Sequence, residues 1–325
     1  MSHAPIVTFT ANPTVDKNTS LDQVVAERKL RCDSPDFEPG GGGVNVARAI
    51  QKMGGAAAAL FLAGGASGKR LTALLSDEKL EIEAIAIEGE TRENFIAFER
   101  VSKLQYRFGM PGPRVSEEEG KRCIERIRAH VTDGTFVVVS GSLPSGLGAG
   151  FLADIAREVK KSKGRIIVDT SGGALKAIAE EGAYLLKCNL SELREIAGEA
   201  IDDEAELRRE ACRLVSGGKT QIVIVSLGAG GAMLASADGI RTFRSPTVPI
   251  RSKVGAGDSM VGGITLALAR GWDVVRATRY GIAAGAAAVM TAGTELCRGE
   301  DVERLFAELE HSDQDGFTLP LSEMD

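Results

Sequence analysis

Between Val254 and Gly263 the chain reads VGAGDSMVGG, which sets a lone carboxylate, Asp258, between a glycine turn and a run of small apolar residues. A glycine turn before a helix leaves the first N–H groups of that helix without intrahelical partners, and the helix dipole adds to their pull on an anion. Gly255, Ala256 and Gly257 therefore read as an anion hole for charge developing on a transferred phosphoryl group, with Asp258 standing beside it. Asp before an apolar helix is also the usual choice for a plain N-cap. A cap, however, needs no second glycine-rich hole, and EPGGGGVNVARAI supplies one: Gly40 to Gly43 stand before another helix start, with Asn45 in its first turn. Glycines there allow close backbone approach to a hydroxylated or phosphorylated ligand, although such a run on its own is more often just a flexible loop.

Other chemistries are poorly supported. His3 lies in the terminal tail, His130 at a helix end and His311 in the C-terminal segment, none beside a plausible partner, so a serine or cysteine triad is not expected. Five cysteines, Cys32, Cys123, Cys188, Cys212 and Cys297, are dispersed, odd in number and lack a CxxC pair, which argues against both a disulfide framework and a zinc site. GGASGKR (64–70) fails the phosphate-loop pattern, because Arg70 follows Lys69 and Ala63 stands where the first glycine belongs; an ordinary turn into a helix is expected. No GxGxxG follows the first strand, so a dinucleotide fold has no support.

These groups must be positioned by a chain of 325 residues with 43% hydrophobic side chains and a formal net charge of −6. That length suits one large α/β domain or two smaller ones. The charge offers no basic field for a nucleic-acid backbone or a membrane surface, so an anionic ligand must be gripped by a few placed cations. MSHAPIVTFT has no export-signal pattern and no segment has spanning length, so a cytoplasmic protein is expected.

Short apolar, β-branched runs at 5–10, 136–140, 165–169, 183–187 and 221–226 read as strands buried on both faces. Helical patterns at 43–53, 116–131, 151–163 and 204–218 alternate with them, which predicts an α/β fold with a mostly parallel central sheet and helices on both sides. Residues 17–39 and 91–114 break the rhythm, and ENFIAFERVSKLQYRF reads as two strands around a polar turn. Two excursions forming a small, mostly antiparallel β lid are expected, with 1–16, 40–90 and 115–312 as the main domain. Small residues from Ser259 to Met290 predict tightly packed helices, and 313–325 reads as a polar tail.

In order and spacing, GGGGVNVARAI, SGSLPSG, KCNLSEL, SLGAGGA and VGAGDSM resemble the ribokinase-like PfkB carbohydrate kinases, and the resemblance runs from ANPTVD to TELC. RKLRC, FEPGGGGVNVARAI, TRENF, QYRFGMPG and VGAGDSMVGG are most similar to the bacterial minor 6-phosphofructokinase branch. Tagatose-6-phosphate and 1-phosphofructose kinases usually carry a lysine in the glycine run, which here is all glycine.

The resemblance implies a three-layer α/β/α kinase domain with a β lid, transferring phosphate from MgATP to the C1 hydroxyl of fructose 6-phosphate. The alternatives it leaves are a kinase for tagatose 6-phosphate, fructose 1-phosphate or an unphosphorylated sugar and, from another class, a catalytically silent sugar-phosphate sensor. It makes Asp258 the base, held ionised near a helix N-terminus. Asp16, at the end of the first strand, would bind sugar hydroxyls with the Gly41–Gly42 backbone and Asn45, and Ser142 would line the sugar site. Arg92 and Arg107 in the lid would take the 6-phosphate, which a planar guanidinium can hold through paired hydrogen bonds. Lys187, Asn189 and Glu192 would face the ATP phosphates and, through water, Mg²⁺; Ser226, Gly228 and Gly231 would form a loop over the nucleotide. Potassium would bind backbone carbonyls after Ile250 and near Gly293. The lid would also form a homodimer interface, with Arg31 on the same excursion and Lys29 reaching across to bind nucleotide. The chain departs from the pattern at Cys188, where proline is common, and at Glu295, where a basic residue is.

Overall fold

The computed structural model describes residues 3–198, 201, 203–218 and 220–311; the tail 313–325 lies outside the described residues. Thirteen strands follow in chain order: β1 (Ile6–Thr10), β2 (Thr14–Leu21), β3 (Asp36–Gly40), β4 (Ala58–Ala63), β5 (Glu81–Ala86), β6 (Arg92–Glu99), β7 (Gln105–Phe108), β8 (Phe136–Ser140), β9 (Arg165–Asp169), β10 (Leu185–Asn189), β11 (Ile222–Ser226), β12 (Ala232–Ser236) and β13 (Gly239–Phe243). The helices are α1 (Gly42–Lys52), α2 (Gly65–Asp77), α3 (Glu117–Ala129), α4 (Phe151–Lys161), α5 (Gly172–Glu181), α6 (Leu190–Ala197), α7 (Glu204–Ser216), α8 (Ala256–Ala269), α9 (Val274–Val289) and α10 (Gly299–Glu310).

Nine strands form one sheet in the order β13-β12-β11-β10-β9-β8-β1-β4-β5. It is parallel from β5 to β11 and antiparallel only at the β12–β13 end. Alternate residues of each strand enter different cores. Phe9, Val137, Val139 and Val223 pack under α3 to α7, whereas Phe136, Val138, Ile224 and Ile6 pack under α1, α8, α9 and α10. This double burial explains why the strands read as unbroken apolar runs. The five strands expected from sequence form within two residues of their expected bounds. β4 was missed because its alanine-rich run lacks a β-branched signature, and β5 because it alternates Glu with apolar residues at the sheet edge.

The second sheet has the order β3-β2-β6-β7. Its two outer pairs are antiparallel, as expected, but β2 and β6 run parallel over eight residues and join the two excursions. Cross-strand register puts Asp16, Glu38 and Asn94 side by side, with Arg92 two pairs earlier, opposite Thr14, and Arg107 two pairs later, opposite Ile96. Because side chains alternate along a strand, these polar residues share one face of the lid. Asp16 thus lies on β2 in the lid rather than at the end of β1. Val15 projects the other way, into a cluster with Val44, Phe61, Leu71 and Leu75.

α8 is apolar on all sides because it is buried between α1 and α9. Gly263 and Gly281 permit the α8–α9 approach: a Cβ on Gly281 would stand 2.8 Å from the Met260 carbonyl oxygen. Among the described residues no helix is long and apolar enough to cross a membrane. Gly281→Ala should cost about 1–3 kcal/mol, seen as a lower thermal midpoint in calorimetry; an unchanged midpoint would mean that the α8–α9 contact is loose.

Candidate active site

Strand order reverses at β1: the chain turns one way to β4 and β5, and the other way to β8 through β11. In open α/β sheets such a reversal opens a crevice at the carboxyl ends of the strands. That edge here collects Ser140, Gly141 and Ser142 after β8, Asp169 and Thr170 after β9, and Lys187 and Glu192 at β10 and the start of α6. Gly255, Gly257 and Asp258 close the same cleft, of about 270 Å³.

Gly255 is the N-cap of α8, with φ of 73°, and a side chain there would strike Leu296. Its left-handed backbone and the closeness of Leu296 both require glycine. Asp258 is therefore not the cap but sits in the first turn, where its Oδ2 accepts a hydrogen bond from Asn45 Nδ2 at 2.9 Å. The N–H groups of Ala256, Gly257 and Asp258 find no acceptor among the described residues. A Cβ on Gly257 would meet nothing within 4 Å except the Lys187 ammonium, at 3.3 Å. The free amides, the ammonium and the carboxylate thus share one small space.

Lys187 is buried and donates to Asp169 Oδ1 at 2.9 Å. Burial opposes its charge, but Asp169, Glu192 and Asp258 more than offset that, and its pKa is raised. Asp258 is pushed up to about 6, first by burial and then by Asp169, against the pull of Asn45, Lys187 and Arg107. The expectation of a carboxylate held ionised by the helix N-terminus needs this correction: desolvation outweighs the dipole, and only the margin between 6 and neutral pH keeps the group charged.

Asn189 and Glu192 meet as a reciprocal cap of α6. Asn189 Oδ1 accepts from the Glu192 N–H at 3.0 Å, and Glu192 Oε2 accepts from the Asn189 N–H at 2.8 Å. Of the two, Glu192 lines the cleft and Asn189 does not. Burial raises the pKa of Glu192. Cys188 is buried between these two strand ends and its carbonyl accepts from Ser226 Oγ at 3.3 Å, so the place of a proline is filled by a bonded strand residue. Gly231 has φ of 99° and packs against the β13 end, whereas Gly228, in a short 3₁₀ turn, faces open space.

In the glycine run, Gly41 caps α1 with φ of 113°, and a Cβ on Gly42 would stand 2.6 Å from the Gly141 amide nitrogen. These glycines let α1 begin against the β8 end. Asp16 is buried and its pKa is raised by that burial, although Asn94 donates to Oδ1 at 2.9 Å and Arg107 and Arg92 attract it. Arg92 donates to the carbonyls of Asn12, Met110 and Pro13 at 3.0, 3.2 and 3.4 Å; no carboxylate bonds to it among the described residues. Arg107 is exposed, without a hydrogen bond or ion pair among the described residues, yet its charge is felt at Asp16 and Asp258.

Asn12, Asn94 and Asp169 were not singled out in the sequence. Asn12 donates to Ser142 Oγ at 3.1 Å, and its own Oδ1 is buried without a partner. A carboxylate ending a parallel strand, as in RIIVD, was the readable signal for Asp169. Lys29 and Arg31 lie exposed in the loop between β2 and β3, and neither lines this cleft. His130 does have a partner, Glu83 on β5 at 2.7 Å, which Arg126 also holds; neither lines the cleft. Near the expected potassium site, Ser252 Oγ donates to the Gly293 carbonyl at 3.0 Å, and Glu295 pairs with Arg298 at 2.8 Å.

The oxygen donors of Asp169 and Glu192, in a cleft that no His or Cys lines among the described residues, suit a hard cation completed by substrate phosphates. No group of three or more His, Cys, Asp or Glu that could hold a metal occurs among the described residues.

Residues 9–300 match the model of the pfkB family carbohydrate kinases, and the chain belongs to that family. It is 43% identical over 93% of its length to ATP-dependent 6-phosphofructokinase isozyme 2 of Mycobacterium tuberculosis, of which it covers 88%. To the isozyme 2 of Escherichia coli K12 it is 40% identical, covering 94% of this chain and 98% of that one. The 1-phosphofructokinase of Bacillus subtilis is more distant, at 31% identity over 94% of this chain and 98% of that one. Among solved structures, E. coli phosphofructokinase-2 in complex with potassium superposes with a TM-score of 0.92 at 39% identity, over 95% of this chain and all of that one. Its complex with fructose 6-phosphate gives 0.90 at 38% over the same shares, and the same protein was also solved as a tetrameric inhibited form. The fold is ribokinase-like: Thermotoga maritima ribokinase superposes at 0.71 despite 20% identity, over 94% of this chain and 99% of that one.

If burial and Asp169 raise Asp258 as described, its ionised form opposes folding at pH 8 and protonation relieves this as pH falls through about 6. Asp258→Asn should then melt higher than wild type at pH 8, by about 2 kcal/mol, with the gap closing towards pH 4.5. A variant that melts lower at pH 8 would contradict the raised pKa.

Proposed function

We propose that the protein transfers the γ-phosphoryl group of MgATP to the C1 hydroxyl of fructose 6-phosphate, giving ADP and fructose 1,6-bisphosphate. The observation that carries this reading is the shared space of Asp258, three unpartnered amides and Lys187 at the start of α8, with the charge of Arg107 from the lid felt at Asp258. Asp258 takes the hydroxyl proton as the oxygen–phosphorus bond forms and the bond to the β-phosphate breaks. The loose transition state asks little of base strength and much of positioning, so amides fixed in place beforehand are suited to the developing charge. Lys187 stands where an ammonium can follow the transferred group. Three carboxylates, Asp169, Glu192 and Asp258, face this one ammonium, so the cleft favours a triphosphate only with a divalent cation. Asn189 and Glu192 would hold Mg²⁺ through water, and Mg²⁺ supplies charge neutralisation across the phosphates.

Arg92 and Arg107 bind the 6-phosphate in this reading; Asp16, the Gly41–Gly42 backbone, Asn45 and Ser142 bind the sugar. Ser226, Gly228 and Gly231 border the nucleotide, and potassium takes the carbonyls after Ile250 and near Gly293. Six exposed apolar residues, Leu30, Phe98, Val101, Leu104, Phe108 and Met110, lie on the lid and its loops. They support a homodimer through the lid; in this reading Lys29 reaches the partner's nucleotide and the enzyme is cytoplasmic. Val101→Glu with Leu104→Glu should convert the dimer to monomer by mass photometry; an unchanged mass would move the interface elsewhere.

ADP release with fructose 6-phosphate, tagatose 6-phosphate, fructose 1-phosphate and ribose tests the substrate. Fructose 6-phosphate should give the highest kcat/KM, and Asp258→Asn should lose about 10³-fold or more in kcat while ATP still binds. Wild-type kcat should fall tenfold per pH unit below about 6. Arg92→Gln should raise KM for fructose 6-phosphate about 10- to 100-fold and leave KM for ATP in place. Preference for ribose would sink the 6-phosphate assignment; ligand binding without ADP release would favour a silent sensor.

A further inference from the structure

We infer that Arg48, which touches no reacting atom, is a positioning residue for the base: it fixes which end of the Asn45 amide faces Asp258. The inference rests on reading Asp258 as the base of a sugar-phosphate kinase. Arg48 lies one turn after Asn45 on α1 and is only 5% exposed. Its guanidinium is held from two directions. Nε and Nη2 donate to the carboxylate of Glu78, just past α2, at 2.7–3.0 Å, and Nη1 donates to the Pro39 carbonyl at 3.2 Å. The same Nη1 lies 3.5 Å from Asn45 Oδ1, while Asn45 Nδ2 donates to Asp258 Oδ2 at 2.9 Å.

The two ends of an amide are nearly equal in shape and opposite in hydrogen-bonding sense. Here a pinned cation stands at one end and an anion at the other, so one orientation is favoured, the one that gives Asp258 a donor. Turned round, Oδ1 would meet the carboxylate as a second acceptor. Asn45 has no other side-chain hydrogen bond among the described residues, so nothing else selects its orientation. The remaining charged groups facing Asp258 are Asp169 from β9, Lys187 from β10 and Arg107 from β7, and a change at position 48 leaves all three in place.

The test compares Arg48→Met, Asn45→Ala, the two combined, and Leu305→Ala, a core change in α10 remote from the cleft. Two quantities are read: kcat with MgATP and fructose 6-phosphate, and the titration midpoint of the Asp258 carboxyl by ¹³C NMR, assigned through Asp258→Asn. Arg48→Met and Asn45→Ala should each raise the midpoint by about half to one unit and lower kcat about tenfold. The combined variant should be within about twofold of Asn45→Ala, because the first acts through the second. Leu305→Ala should lower the melting temperature and move neither quantity. Arg48→Lys, which keeps a cation, should hold the midpoint within about 0.3 unit even if less stable, and serves if Arg48→Met does not fold. A midpoint unmoved in Arg48→Met, moved in Arg48→Lys as far as in Asn45→Ala, or effects that add in full, would overturn the inference. If wild type phosphorylates no sugar phosphate, the substrate reading fails, and the titration still decides the role of Arg48.

Discussion

One buried ammonium surrounded by carboxylates is the constraint on which the rest of this structure depends. Lys187 sits below the surface at the end of β10, bonded to Asp169 at 2.9 Å and within the fields of Glu192 and Asp258. A lone charge there would be costly, and so would three unpaired carboxylates. Together they are tolerated because β9, β10 and α8 are fixed by the apolar cores on both sides of the sheet. The strand reversal at β1 then decides where this cluster lies, at the crevice where a ligand can enter.

The glycines around the cleft are best understood as removed volume. Gly42 lets α1 begin against the Gly141 amide, Gly255 fits under Leu296 in a left-handed conformation, and Gly257 leaves the space beside Lys187 open. Each absent Cβ brings a backbone amide or an ammonium nearer to where a phosphoryl group can stand. Rigidity behind them comes from close helix packing, since α8 carries Asp258 at its first turn and is wedged between α1 and α9. Such a carboxylate is held against its own solvation, which is why its pKa lies near 6 rather than in the usual carboxylate range.

The lid has a different logic. Its parallel β2–β6 pair joins two segments 78 residues apart in register, Asp16 with Asn94, so that one polar face is assembled from four strands. A small sheet with edges at β3 and β7 and several exposed apolar residues is poorly covered by its own chain. Arg92 and Arg107 lie on it without carboxylate bonds among the described residues, the state in which guanidinium groups are suited to bind a phosphate.

The sequence by itself determined the periodicities and the turns. Continuous β-branched runs are best satisfied by a sheet covered on both faces, and VGAGDSM and EPGGGGVNV each read as a glycine turn before a helix. Hence the fold class and the two helix starts that carry Asn45 and Asp258 were legible. The tertiary structure alone decided what depends on separations across the chain. It made Asn189 and Glu192 a reciprocal cap, paired Lys187 with Asp169, placed Asp16 in the lid, and left Lys29 outside the cleft of its own chain. It also raised Asp258 by burial, because desolvation is a property of the surroundings and not of the residues on either side. Local pattern fixes which groups can be presented; only the packed sheet fixes which of them meet.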